Sequence, residues 1–164
     1  DPTPDLPASI KKTGVFVDAT LTYILDIAKQ HQLQAVQLHG EESPTFCQKL
    51  QTTGLEIIKA FAVDDTFDFS VLETYDSVCD YFLFDTKGPL PGGNGSRFDW
   101  LILCNYPLTK PFFLSGGIGP GDQGAIASII SLNLPVYAID INSKFEKQAG
   151  LKNIEIIKQF KSTL

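Results

Sequence analysis

Short apolar runs alternate along the chain with longer segments whose apolar residues recur at helical spacing. The runs are Gly14-Val15-Phe16-Val17, Ala35-Val36-Gln37-Leu38, Ile57-Ile58-Lys59-Ala60-Phe61, Tyr81-Phe82-Leu83-Phe84, Phe112-Phe113-Leu114 and Val136-Tyr137-Ala138-Ile139. They are short, rich in β-branched or aromatic residues and nearly continuous, so they predict strands buried on both faces, as in a parallel sheet. Between them, Leu21, Ile24, Leu25 and Ala28 form one helical stripe. Ser43 and Pro44 read as an N-cap and first helical position ahead of Phe46, Cys47 and Leu50. Pro120 predicts the start of a helix carrying Ile126, Ile129 and Ile130, and a last helix runs from about Asn153 through Ile154, Ile157 and Phe160. Strand followed by helix, six times over, predicts one parallel α/β domain across residues 1–164.

The first residues of successive runs lie 21, 22, 24, 31 and 24 residues apart. This regularity suits a (β/α)8 TIM barrel, which takes ~250 residues or as few as ~200. About six units fit the 164 residues, so a barrel reading expects the first two βα units to be lacking. An open doubly wound sheet, complete with about five or six strands, fits the spacing equally.

Composition narrows the function classes. The formal charge of -6 argues against a nucleic-acid surface, which would show clustered Lys and Arg, so an anionic ligand has to be held by local groups. No run of ~18 uninterrupted apolar residues is available to span a membrane. The start DPTPDLPASIKK lacks the apolar core of a secretion signal. Cys47, Cys79 and Cys104 stand far apart with no C-x-x-C, which argues against a zinc knuckle or disulfide framework and for a reducing, cytoplasmic setting. The chain has no methionine and begins at Asp1, so a preceding N-terminal segment is expected.

In either fold, ligands sit at the C-terminal ends of the strands. There the apolar runs give way to Asp18, Gln37, His39, Lys59, Asp85, Ser115, Gly116, Gly117, Asp140, Asn142 and Ser143. Asp85 is a candidate general acid, since a carboxyl emerging from an apolar strand end is driven by desolvation toward its proton-bearing form. An N-cap or turn carboxylate is the alternative use of the same residue. LSGGIGP, residues 114–120, places paired glycines between a strand and a helix, where backbone N–H groups and the helix N-terminus can hold a phosphate; a tight turn would need the same glycines. KGPLPGGNGSR, residues 87–97, has the length and glycine content of a lid or of a surface loop. Cys47 and Cys104 read as core or near-core thiols, and none of the three cysteines closes a strand.

Taken in order, these strand ends resemble the phosphoribosylanthranilate isomerase family, tryptophan-biosynthetic (β/α)8-barrel enzymes. KKTGVFVDA resembles the family's third strand, AVQLHGEE its fourth, EIIKAFAV its fifth, and YFLFDT with GGNGSRFDW its sixth. FFLSGGIGP resembles the seventh, and AIDINSKFE with AGLKN the eighth. The resemblance implies an Amadori rearrangement of N-(5-phosphoribosyl)anthranilate, a phosphorylated sugar–anthranilate substrate, to the ribulose derivative with neither metal nor cofactor. It implies that Asp85 protonates the furanose ring oxygen, and that Gly116 and Gly117 with the Asn142-Ser143 turn cradle the phosphate. It implies further that Asp140 lies near the substrate hydroxyls and that Gln37 and His39 line the same mouth.

The family's general base is a cysteine in a K-x-C-G motif on strand one, and its anthranilate-binding arginine lies in S-P-R after strand two. Neither motif occurs in these 164 residues, so the chain by itself is expected to be inactive. Lys144 stands where the family carries glycine, and Asn94 where it often carries threonine. Three alternatives remain open at this point: the isomerase, as monomer or homodimer; a catalytically inactive phosphate-binding barrel fragment or scaffold; and a neighbouring phosphate-binding barrel such as an indoleglycerol-phosphate synthase or pentose-phosphate epimerase.

Overall fold

The computed structural model of the chain describes residues 6–88 and 98–164. Six strands, β1 (Thr13–Phe16), β2 (Ala35–Leu38), β3 (Glu56–Val63), β4 (Tyr81–Thr86), β5 (Phe112–Leu114) and β6 (Val136–Ile139), follow one another through a single sheet in chain order. Every predicted run is therefore a strand. β3 runs longer than its apolar stretch: Glu56, opposite Ala35, extends it at one end and Val63 closes it at the other. The chain divides into two compact units, Asp1–Phe61 with Ser70–Phe82, and Ala62–Phe69 with Leu83–Leu164.

In the first unit β1 pairs parallel with β2, and β2 with β3, so that Phe16 lies opposite Leu38 and Leu38 opposite Lys59. Helix α1 (Leu21–His31) starts at Thr20, whose hydroxyl accepts the Tyr23 N–H, and buries Ile24 and Ala28 from the predicted stripe. Helix α2 (Pro44–Gln51) starts at Ser43, whose hydroxyl accepts the Phe46 N–H at 3.2 Å, and buries Cys47 and Leu50. Ile24, Val36, Leu38, Leu50 and Ile57 are the inaccessible centre of this unit.

In the second unit β5 pairs parallel with β6, and Ser115 N–H extends the ladder to Phe84 O on β4. The core is aromatic: Phe84 meets Phe112 at 5.0 Å, Tyr106 at 5.5 Å and Phe69 at 6.2 Å between ring centroids, mostly edge-on, as ring quadrupoles prefer. Helix α3 (Gln123–Ile130) buries Ile126 and Ile129, while helix α4 (Ile154–Lys161) is capped by Asn153 and docks Phe160 against Phe145.

Four expectations are corrected. The strands are not all buried on both faces: Val15 on β1 is 60% exposed and Tyr137 on β6 is 55% exposed, because these strands lie at the two ends of the sheet order. The segments after β3 and β4 are not α-helices but six-residue 3-10 helices, Phe69–Thr74 and Trp100–Asn105. Their three-residue period buries Phe69 and Leu72 in one, and Trp100, Leu103 and Tyr106 in and just after the other. The same period turns Leu101 and Cys104 outward, so Cys104 is an exposed thiol and not a near-core one. Pro120 does not start α3: it lies in a turn closed by Asp122, whose carboxylate accepts the Gly119 N–H at 2.7 Å, and the helix begins at Gln123. After β6 comes a short antiparallel hairpin, β7 (Glu146–Gln148) and β8 (Leu151–Lys152), which the apolar pattern did not indicate.

Candidate active site

In the first unit the strand-end residues form an interlocked pair of turns. Asp18, just past β1, adopts a left-handed backbone with φ of 49°. Its N–H donates to Glu42 Oε1 at 2.9 Å, and its own carboxylate accepts the Glu41 N–H at 2.6 Å. Gly40 packs so closely on this turn that a Cβ there would collide with the Asp18 carboxylate and backbone, which is why no side chain fits. His39 N–H donates to Phe16 O at 2.8 Å, and its Nδ1–H donates to Gln37 Oε1 at 3.0 Å. Gln37 and His39, the two residues of this unit expected to line the mouth, are thus half-buried and in contact with each other.

Beneath this turn lies a buried ion pair: Lys59, expected at a strand end, lies instead inside β3, because the strand continues to Val63, and its partner Glu42 was not singled out from the sequence. Lys59 is 3% and Glu42 5% exposed, with Nζ 3.3 Å from Oε2. The signal was present: a lysine inside the apolar run Ile57-Ile58-Lys59-Ala60 either breaks the strand or is paired inside it. Nearby, a hydrogen bond with Cys79 is the largest influence holding the Cys47 thiol below its ordinary value, and burial pushes the Tyr75 hydroxyl up. Tyr75 also donates its hydroxyl to Glu42 O at 3.1 Å.

In the second unit Asp85 closes β4 at 8% exposure, and one of its carboxylate oxygens accepts the Thr86 N–H at 2.8 Å. Ser115 is buried at the end of β5, and its hydroxyl donates to Asp140 Oδ2 at 2.8 Å, so β5 and β6 end on one hydrogen-bonded pair. Gly116 has φ of 90° and Gly117 φ of 64°, both left-handed. A Cβ on Gly116 would strike the Thr86 hydroxyl and backbone N, so the turn after β5 lies directly against the end of β4. Asn142 and Ser143 are exposed, with Asn142 Oδ1 held by the Lys152 ammonium. The Lys144 side chain runs beside Gly119. Because α3 begins only at Gln123, Gly116 and Gly117 feed the Gly119–Asp122 turn before any helix N-terminus.

The structure brings Asp140 to Ser115 beside Gly116, and Gly116 to Thr86 beside Asp85. Of the predicted lid, KGPLPGGNGSR, residues 89–97 lie outside the described residues. A separate cavity of about 600 Å³ is lined by Asp65, Phe98, Trp100, Leu101, Ala125 and Ile129, and by none of the sequence-predicted site residues. Cys47 sits within α2, Cys79 ahead of β4 and Cys104 in the second 3-10 helix, so no cysteine stands at a C-terminal strand end. Among the described residues no group of three or more His, Cys, Asp or Glu is arranged to hold a metal ion, and no helix is long and apolar enough to cross a membrane.

Residues 6–163 match the family model of N-(5'phosphoribosyl)anthranilate (PRA) isomerase. The chain is 46% identical, over 93% of its own length and 68% of the relative's, to N-(5'-phosphoribosyl)anthranilate isomerase of Parabacteroides distasonis. It superposes with a TM-score of 0.81 on the crystal structure of phosphoribosyl anthranilate isomerase from Thermotoga maritima, at 35% identity, covering 96% of this chain and 74% of that one. A second solved isomerase, in complex with reduced 1-(o-carboxyphenylamino)-1-deoxyribulose 5-phosphate, is similar at 31% identity with a TM-score of 0.75, covering 95% of this chain and 72% of that one. The six-stranded sheet and the similarity to these structures fit an α/β fold of the TIM-barrel kind.

Proposed function

We infer that this chain, which belongs to the N-(5'-phosphoribosyl)anthranilate isomerase family, works through the polar residues at its strand ends. Its function is the isomerisation of N-(5-phosphoribosyl)anthranilate to 1-(2-carboxyphenylamino)-1-deoxyribulose 5-phosphate in tryptophan biosynthesis. The observation that carries this is the family match over residues 6–163, joined to 46% identity with a curated relative.

In the role we propose for it, Asp85 donates a proton to the furanose oxygen, the ring opens to a Schiff base, and a base then removes the proton from the second sugar carbon to give an enolamine, which becomes the amino-ketose by gaining a proton at the first carbon and losing the proton of its enol hydroxyl. Support comes from its position: a carboxyl nearly closed off from water at a strand end, with Thr86 N–H orienting one of its oxygens. Gly116 and Gly117 hold the phosphate through backbone N–H groups, which suits a left-handed turn with no room for a side chain at Gly116. Asp140, fixed by the Ser115 hydroxyl, receives substrate hydroxyls, and Asn142 and Ser143 complete the phosphate end. Gln37 and His39 are substrate-binding residues in the same proposal.

The six strands are, on this reading, strands three to eight of a (β/α)8 barrel whose first two units bring the thiolate base and the carboxylate-binding arginine. Residues 1–164 taken by themselves then fall far short of family turnover, since Cys47, Cys79 and Cys104 occupy none of the strand ends. The setting is cytoplasmic and reducing, consistent with three free thiols, and the enzyme acts as a monomer or homodimer.

The test is Asp85→Asn in the full-length protein, with turnover followed by the change in anthranilate fluorescence. A positioned general acid contributes ~10² to 10⁴ in rate, so a loss of that order with an unchanged melting temperature is expected. Turnover within a few-fold of the parent would remove Asp85 from the mechanism.

A further inference from the structure

We propose that the buried Glu42–Lys59 pair is a positioning device for the isomerase, fixing the His39-Gly40 turn and Asp18 without touching substrate. The inference rests on the isomerase reading above and assigns to it two residues that reading does not use.

Two ionised groups removed from water are costly, and an apolar side chain at position 59 would continue the run Ile57-Ile58-Ala60 without that cost. What the pair does with its hydrogen bonds explains its presence. The ammonium has three protons, and Nζ lies 3.2 Å from Leu38 O, 2.7 Å from Gly40 O and 2.9 Å from Ala60 O, beside the Glu42 carboxylate. The carboxylate accepts the Gly40 N–H at 3.0 Å through Oε2 and the Asp18 N–H at 2.9 Å through Oε1. His39 is therefore bracketed: the carbonyl before it, the N–H after it and the carbonyl after that all end on one of the two charges. Its own N–H is taken by Phe16 O.

β2 ends at Leu38, level with Lys59 on β3, so the ladder stops where the ammonium begins. The backbone groups that the sheet no longer satisfies are satisfied by charge. This also holds Asp18 in its left-handed conformation and lets Gly40 press against it. A supporting shell of this kind is what keeps a contact residue within tenths of an ångström of its working position. Phe61, with its ring centroid 5.4 Å from Nζ, covers the ammonium from one side.

The experiment is steady-state kinetics on full-length protein carrying Glu42→Gln or Lys59→Met, at a temperature well below each variant's melting midpoint. Lys11→Met, which breaks the exposed Lys11–Glu56 bridge of the same unit, is the control and keeps parental kinetics. The expected result is a fall in kcat/KM of tenfold or more in both variants. In a double-mutant cycle, the Glu42→Gln loss shrinks to under threefold when His39 is already alanine, because both act through one turn. Should Glu42→Gln fail to fold, Glu42→Asp, which keeps the charge and withdraws it by one methylene, is expected to fold and still lose about fivefold or more. Folded variants that melt lower but retain kcat/KM within threefold would show a purely structural pair and overturn the proposal. Losses that add in full to that of His39→Ala would overturn it as well. A parent protein without turnover would overturn the isomerase reading itself, and that arm is read before any variant.

Discussion

Replacing Gly116 by alanine tests whether the turn after β5 sets the position of Asp85. Two costs are involved. An L-residue at the left-handed φ of 90° is strained by ~1–2 kcal/mol, partly offset by ~0.4–1 kcal/mol from the stiffer unfolded chain. The new methyl group must also displace Thr86, whose hydroxyl and backbone N occupy its place, and overpacking of this kind costs ~1–3 kcal/mol. Gly54 separates the two: it has φ of 82°, yet an added Cβ would meet nothing within 4 Å. Gly54→Ala therefore carries the strain alone, and the difference between the variants is the clash, ~1–3 kcal/mol. At roughly 2–4 °C per kcal/mol for a chain of this size, Gly116→Ala should melt ~2–12 °C below Gly54→Ala. Activity adds a second reading. Thr86 N–H orients the Asp85 carboxylate, and a displacement near 1 Å can cost on the order of 10² in rate. Gly116→Ala in the full-length enzyme should lose at least tenfold in kcat/KM at 25 °C, and Gly54→Ala should lose none. Matching melting curves together with matching kinetics would refute the coupling of this turn to Asp85.

Phe84→Ala should destabilise by ~3–5 kcal/mol, read from denaturant melts, because an inaccessible ring bounded by Phe69, Tyr106 and Phe112 leaves a cavity those rings cannot close. Ser43→Ala should cost ~1 kcal/mol by the same measurement, through loss of the bond that caps α2. Hydrogen bonds from Lys87 and then Thr66 hold the Asp64 carboxylate down at about 2. Its contribution is complete above the unfolded value of ~3.9 and is lost as pH falls through about 2, so any melting difference between parent and Asp64→Asn should vanish at the acid end of that window. A thiol reagent should modify Cys104 rapidly in the native protein and reach Cys47 and Cys79 only on unfolding, and Cys104→Ser should leave turnover intact.

The six strands were legible because each is a compact apolar run closed by a polar residue, and Asp85, Ser115 and Asp140 were found by looking where those runs stop. The connections were less legible for a physical reason. In residues 69–74 and 100–105 the buried residues, Phe69 and Leu72 in one and Trp100 and Leu103 in the other, recur every three positions among exposed apolar neighbours such as Val71 and Leu101, so the apolar pattern does not reveal the period. Cys104 was misplaced because it follows the apolar run Leu101-Ile102-Leu103, of which Leu101 is itself exposed. Pro120 misled because proline starts turns as readily as helices, and the deciding group, the Asp122 carboxylate on Gly119 N–H, lies downstream of it. Glu42 was invisible among the charges of QLHGEE: nothing local distinguishes it from exposed Glu41, and only the register of β2 on β3 brings Lys59 to it.

Trp100 is the one tryptophan of the sequence, buried at 4% exposure in the second unit. Its emission is a native spectroscopic tag for that unit, reddening when water reaches the indole. Far-ultraviolet circular dichroism, by contrast, registers α1 and α2 of the first unit together with α3 and α4. A single denaturant titration watched through both signals compares a local clock with a global one. Coincident transitions would mark one cooperative melting event, and a gap between them would give the order in which the two halves let go.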